Sequence, residues 1–239
     1  MGSENPAPPK RENGFQSLLF NIILPVIILT QGDRLIPQPA SVLILALTFP
    51  VAYFVWDYQR RSKVNFISIL GFVSVLLTGG VGLMQLPRFW FIVKETTIPA
   101  LIGIAVLVSI FTRYPLIRVL VFSKDIFDVE HIQCALAQRG TTTVMEKLLR
   151  RATALLSLSF FLSAALNFIL ASHFVKTEPS IDPSQFNSEV GAMTGWSYLV
   201  IALPSMVFMM AILYMVVHGI RKHAGLGLEE SLAAHLREE

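Results

Sequence analysis

The sequence predicts an all-α fold: a polytopic membrane helix bundle of about six transmembrane helices with both termini in the cytoplasm. Three observations predict it. Of the 239 residues, 54% are hydrophobic and only 15% charged, with a mean hydropathy of +0.61. A soluble domain covers itself with about a quarter charged residues, so most of this exterior must face lipid. Four apolar stretches exceed the roughly 18 residues of a membrane span, and two shorter ones complete the set. Finally, Lys and Arg concentrate on alternate connections, which is how orientation is set.

The elements follow in order. Residues 1–14 are polar and rich in Pro, a composition that buries too little apolar surface to order itself, so a disordered tail is expected. The apolar stretch from Gly14 to Gln31 follows Lys10 and Arg11, as in a signal peptide. No small-x-small cleavage site follows it, so a retained helix is expected. Spans are placed at about 15–31, 39–57, 66–86, 89–111, 152–174 and 196–218. The third and fourth are separated only by Pro87 and Arg88, and a single helix of that combined length would far exceed a bilayer near 30 Å thick. A hairpin results, and Gly79, Gly80 and Gly82 are read as permitting its turn. The whole of 15–218 is one six-helix domain, with 219–239 as its C-terminal tail.

Fifteen of the nineteen Lys and Arg fall in the N-terminal tail, the second and fourth connections and the C-terminal tail. Arg34, Arg88 and Lys176 fall on the other side, and Lys94 lies within a span. An even number of spans therefore puts both ends inside. The fourth connection, 112–149, is the only sizeable cytoplasmic element. Its segment from Asp125 to Gln138 has Val129, Ile132 and Leu136 on one stripe and is ended by Gly140. That face is expected to dock under the bundle, the alternatives being to lie in the membrane interface or to receive a partner. Thr143 and Glu146 have capping-box spacing, so the fifth helix is expected to start below the membrane. Loop 175–195 is acidic and external. Leu228, Leu232 and Leu236 recur every four residues, a short amphipathic helix.

Charge within a span points most directly to function, because each charge costs at least about 2.5 kcal/mol at the bilayer centre. Lys94 and Glu95 enter the fourth span roughly 8 Å deep at 1.5 Å per residue. Lys94 is expected to snorkel outward. Neighbouring residues diverge by about 100° on a helix, so Glu95 is expected to pair elsewhere, with Arg88 or another helix. Pro99 frees the carbonyl of Glu95 and Pro25 that of Asn21, two candidate helix breaks; Pro50 and Pro204 add further prolines. Asn167 needs a partner near mid-membrane, and with Ser159 and Ser163 forms a small polar stripe suited to close helix packing. Lys94, Glu95, Asn21 and Asn167 are the candidate polar site. His173, Tyr214 and His218 lie near helix ends, and Met206, Met209 and Met210 suggest adaptable packing.

Several classes are excluded. The basic residues sit in short loops at the ends of apolar runs, whereas a nucleic-acid surface clusters them on a soluble face with aromatics between. The single cysteine, Cys134, has no disulfide or metal partner at suitable spacing. No G-x-S-x-G, H-E-x-x-H, P-loop or dinucleotide turn occurs, and no acid–base pair suits a lipid-acting enzyme. No catalytic residue, metal or cofactor is expected. The expected partners are the lipid bilayer and, for a scaffold, other inner-membrane proteins or a second copy of the chain.

The basic second loop with Asn65-Phe66-Ile67-Ser68, then Lys94-Glu95, Gly103 and Ser109, then Pro115-Leu116-Ile117-Arg118 and Asn167 carry a resemblance over roughly residues 40–175. The chain resembles a family of small bacterial membrane proteins without a settled activity. More distantly it is similar to the inner-membrane intracellular septation protein A family, whose usual span number is five. The resemblance implies a non-enzymatic inner-membrane protein of envelope maintenance or septation, acting through helix and loop contacts. The polar residues leave a second class open: a small transporter or channel, proton-coupled if Glu95 titrates.

Overall fold

The computed structural model describes residues 19–61, 66–112, 115–120 and 127–233. The expected tail 1–14, the proposed helix start at Asp125 and the last leucine of the C-terminal repeat, Leu236, lie outside these residues. Every element among the described residues is helical. The first, α1, is a π-helical turn (Leu19–Ile23) running into an α-helix (Leu24–Gln31). After it come α2 (Pro39–Arg61), α3 (Phe66–Leu83), α4 (Arg88–Ser109), α5 (Leu116–Leu120), α6 (Val129–Gln138) and α7 (Thr142–Phe174). Then α8 (Pro183–Ser197) passes through a second π turn (Tyr198–Ala202) into α9 (Leu203–His223), and α10 (Leu228–Ser231) is a single turn.

Four helices are long and apolar enough to cross a membrane: Pro39–Trp56, Arg88–Ser109, Thr142–Phe174 and the continuous Pro183–His223. Their outward faces are apolar. Leu101, Ile104 and Val108 of α4 and Met206, Val207 and Met210 of α9 are all exposed. Apolar patches of that extent are rare on soluble monomers and are what lipid-facing helices present. Met206, Met209 and Met210 of α9 therefore face outward, while Met215 packs against the buried cluster.

The chain divides into two compact units, Met1–Glu95 with Asn167–Leu199, and Thr96–Leu166 with Val200–Glu239. In the first, α8 packs along α1. Gly191 and Gly195 face Leu29 and Val26 of α1, and the Asn187 amide donates to the Pro39 carbonyl at 3.0 Å. Helix α3 packs on α2 through its glycines, where a Cβ on Gly79 or Gly82 would run into Leu47 or Leu43. These glycines thus serve close helix contact, not the hairpin turn as expected. The turn is made by residues 84–87: Gln85 takes a left-handed φ of 52°, and Leu86 donates back to Val81 at 2.9 Å.

The acidic segment expected as loop 175–195 is a second correction, since most of it is α8. The signal was present. Asp182 caps the helix by accepting from the Gln185 amide at 2.9 Å, and Pro183 supplies a first-turn φ with no amide to satisfy. Glu189 then reaches back to the loop after α7, accepting from the amides of Lys176 and Thr177 at 2.9 Å each and from the Thr177 hydroxyl at 2.9 Å.

The second unit holds a hydrophobic cluster of Val106, Ile117, Phe127, Ile132, Leu136, Met145, Leu149, Ala152, Leu156, Ile212, Val216, Ile220 and Ala224. Helix α6 begins at Asp128, whose carboxylate accepts from the His131 amide at 3.1 Å, and ends where Gly140 turns left-handed at φ 64°. There Thr141 donates to Leu136 and Gly140 to Ala137, the paired bonds of a Schellman cap. Ile132 and Leu136 are buried in the cluster and Val129 packs against it. The stripe proposed to receive a partner is filled by the molecule's own core, because an apolar stripe beside an apolar core loses most water by docking there. The α7 cap is also corrected. Thr141, not Thr143, precedes the helix, and its hydroxyl donates to the His223 carbonyl at 2.9 Å. The C-terminal segment forms one helical turn and then an antiparallel bridge from Leu232 to Phe127, in place of a longer amphipathic helix.

Candidate functional site

Lys94 sits two turns into α4, and its side chain turns inward. Its residue is only 7% exposed. The Nζ donates to Thr78 Oγ1 of α3 at 2.6 Å and lies 2.5 Å from Glu95 Oε1. It also stands 5.0 Å from the centre of the Phe91 ring. An ammonium has three donors and no acceptor, and here a carboxylate, a hydroxyl and an aromatic face surround it. Phe91 is fully buried and meets Phe186 of α8 edge-to-face at 5.9 Å, which fixes the ring beneath the charge.

Two expectations about this pair are corrected. Lys94 does not snorkel to the surface, and it does pair with Glu95. Divergence of about 100° applies to the Cα–Cβ directions, but a four-carbon stem and a three-carbon stem can bend sideways around the helix to meet. Arg88 is committed elsewhere. Its backbone amide donates to Glu178 Oε2 at 2.8 Å, its guanidinium donates to the Val175 carbonyl at 2.9 Å, and its Nε lies 3.6 Å from Glu178 Oε1. That ion pair ties the start of α4 to the loop after α7.

Of the other site residues, Asn21 falls in the π turn of α1. Asn167 is half-buried on α7 and is not among the groups that hold Lys94 or Glu95. Among the site residues whose side chains are described, the structure brings together Lys94 and Glu95, and it adds Thr78 and Phe91. Phe91 was legible: it stands three residues before Lys94, on the same face of the helix, and helical side chains lean toward the N-terminus. Thr78 was not, because nothing in an apolar run says which other helix its hydroxyl meets.

The prolines divide into two kinds. Pro25 and Pro204 each follow a π turn ending two residues earlier. A widened turn gives the ring room against the carbonyl four residues back. Pro50 and Pro99 lie inside uninterrupted α-helices, so the break expected at Pro99 is absent, while Pro204 follows an irregular turn. The Ser159–Ser163 stripe lies at a helix contact, with Ser163 Oγ 3.2 Å from Ser205 Oγ of α9. On α7 Ser157 also donates to the Gly103 carbonyl of α4 at 2.9 Å, where a Cβ on Gly103 would press on Phe160 and Phe161.

The chain matches no family model, no curated protein and no solved structure. Chemically, then, the site is a shielded charge pair. It has a carboxylate that can accept a proton and a cation that has no other carboxylate to turn to among the described residues.

Proposed function

We propose that this chain is a non-enzymatic, six-span protein of the bacterial inner membrane, both termini cytoplasmic, that works as a small transporter or channel around the Lys94–Glu95–Thr78 cluster. One observation carries the reading: a Lys ammonium shielded by protein inside an apolar helix and held by a carboxylate on its own helix and a hydroxyl on the next. Desolvating such a pair costs more than an apolar pair of similar volume, and ionisable groups inside spans mark ion or substrate paths by default. Irregular backbone within spans supports the same reading, since π turns concentrate at functional sites and α1 and the α8–α9 helix each contain one.

The test is flux in proteoliposomes across an imposed pH gradient, read by an enclosed pH-sensitive dye. Wild type is expected to dissipate the gradient and Glu95→Gln to do so at least about tenfold more slowly, the size of one general proton-transfer group or more. Equal rates at equal reconstituted amounts would overturn it. A second reading, envelope maintenance or septation through contacts, is supported by the family resemblance and by the outward face of α6, where Glu130, His131, Gln133 and Cys134 are exposed. Rescue of an envelope-stress phenotype in a deletion strain separates the two. Contact function tolerates Glu95→Gln and fails when His131 and Gln133 become bulky, and transport does the reverse.

A further inference from the structure

Helices α7 and α9 meet at three points whose numbering runs antiparallel. Thr141 bonds the His223 carbonyl, Leu148 fills the space over Gly219, and Ser163 meets Ser205. As one number climbs the other falls, and the sums of the paired numbers stay nearly constant. At about 100° per residue, Lys147 and Arg151 lie roughly 60–100° to one side of Leu148, away from the core residues Met145 and Leu149. Lys222 lies about 60° to the same outer side of Gly219. All three are exposed, so their cationic ends gather at one mouth of the groove between the two helices.

Among the described residues none of the three cations has a carboxylate at ion-pair distance. Glu146, beside Lys147 in the chain, faces Arg118 at 3.7 Å. Arg139 is added to the same end by a backbone device. Gly225 is left-handed at φ 73°, and the Arg139 guanidinium occupies the place a Cβ would take.

Along the groove, chemistry changes in one direction. One turn from Lys222 comes His218, stacked on Tyr214 at 5.8 Å between ring centres, both exposed. Beyond them the exposed positions on the same side are Ala154, Leu158, Ala211 and Val207. Cationic, then amphipathic aromatic, then small and apolar is the order of a phospholipid read from phosphate through glycerol ester to acyl chain.

We infer that the α7–α9 groove binds an anionic phospholipid, its phosphate on Lys147, Arg151 and Lys222, its ester region beside His218 and Tyr214, and an acyl chain over Ala154 and Ala211. The occupant is a lipid and not a free phosphate because the apolar continuation has no use for the latter. This site does not depend on Glu95 or on transport.

The experiment titrates fluorescent phosphatidylglycerol and phosphatidylcholine into the purified full chain in neutral detergent. Wild type is expected to prefer phosphatidylglycerol. Each cation near an anionic headgroup contributes roughly a factor of five, so Lys147→Gln/Arg151→Gln/Lys222→Gln is expected to weaken phosphatidylglycerol binding by about a hundredfold. Ala154→Phe, a bulky side chain at an exposed position that needs no refolding, is expected to weaken it with every cation in place. Equal affinity of wild type for the two lipids, undiminished binding by either variant, or displacement of the lipid by inorganic phosphate at equal concentration would each overturn the site.

Discussion

Lys94 illustrates what one residue's sequence context reveals and what it conceals. Its presence in an apolar run marked it at once, and its depth followed from helical rise. Its direction did not follow, because a lysine stem can reach lipid headgroups or a protein partner at similar cost, and the partner that decided, Thr78, lies sixteen residues away on α3. The pair makes a stability prediction. Removing one member leaves a shielded charge alone and costs about 3–5 kcal/mol, whereas replacing both with apolar residues of similar volume is near neutral. Lys94→Met should therefore lower the thermal midpoint in detergent markedly, and Lys94→Met with Glu95→Met should recover most of it. A double variant worse than the single would show that the pair is not what stabilises this part of α4.

Among the elements, the long apolar helices were the most legible, since α2, α4 and α7 announce themselves by hydropathy alone. Helix α8 was missed because its stretch reads PSQFNSEVGAMTGWS, polar and glycine-bearing. It exists because its buried side, Phe186, Asn187, Val190 and Met193, packs against neighbouring helices, a tertiary contribution that no local propensity carries. The Asp182-Pro183 start was the overlooked local clue. Asp182→Ala should cost about 1 kcal/mol, read as a lower unfolding midpoint, with faster amide exchange in the first turn of α8. Glu189→Ala should loosen the chain after α7 more than Asp182→Ala does, because four hydrogen bonds end on that carboxylate; proteolysis at Lys176 would report it. On α6 Val129, Ile132 and Leu136 form one apolar face as their periodicity predicts, and of its two readings it is docking on the molecule's own core, not a partner, that the structure shows. Ile132→Asp should therefore destabilise the fold itself, by several kcal/mol for an unpaired buried charge, and a variant with unchanged thermal stability would contradict the packing seen.

At the scale of the molecule, the distribution of Lys and Arg predicts an orientation that hydropathy alone does not contain. The chain carries its own reporter. Cys134 is its single cysteine and is exposed on α6. With both termini inside, a membrane-impermeant maleimide should leave Cys134 unlabelled in intact cells and label it after permeabilisation. In a Cys134→Ser background, Ser180→Cys, in the loop before α8, should show the opposite pattern. Labelling of Cys134 from outside would invert the topology. The fold class was readable because bilayer chemistry imposes long apolar helices. The buried cluster of the second unit was not, because its members come from segments more than a hundred residues apart, Val106 to Ala224.

That separation bears on the order in which the protein is made. Helix α6 starts at Asp128, whose backbone amide is satisfied by the Ser231 carbonyl at 2.9 Å, while Phe127 beside it is buried and bridged to Leu232. The partner strand of chain leaves the ribosome about a hundred residues later, some 5–20 s at ordinary synthesis rates. For that interval a large aromatic ring and a backbone amide lack the partners they have in the finished fold. A chain cut short before Ser231 would keep that ring uncovered indefinitely, an apolar mark of incompleteness on an otherwise finished cluster.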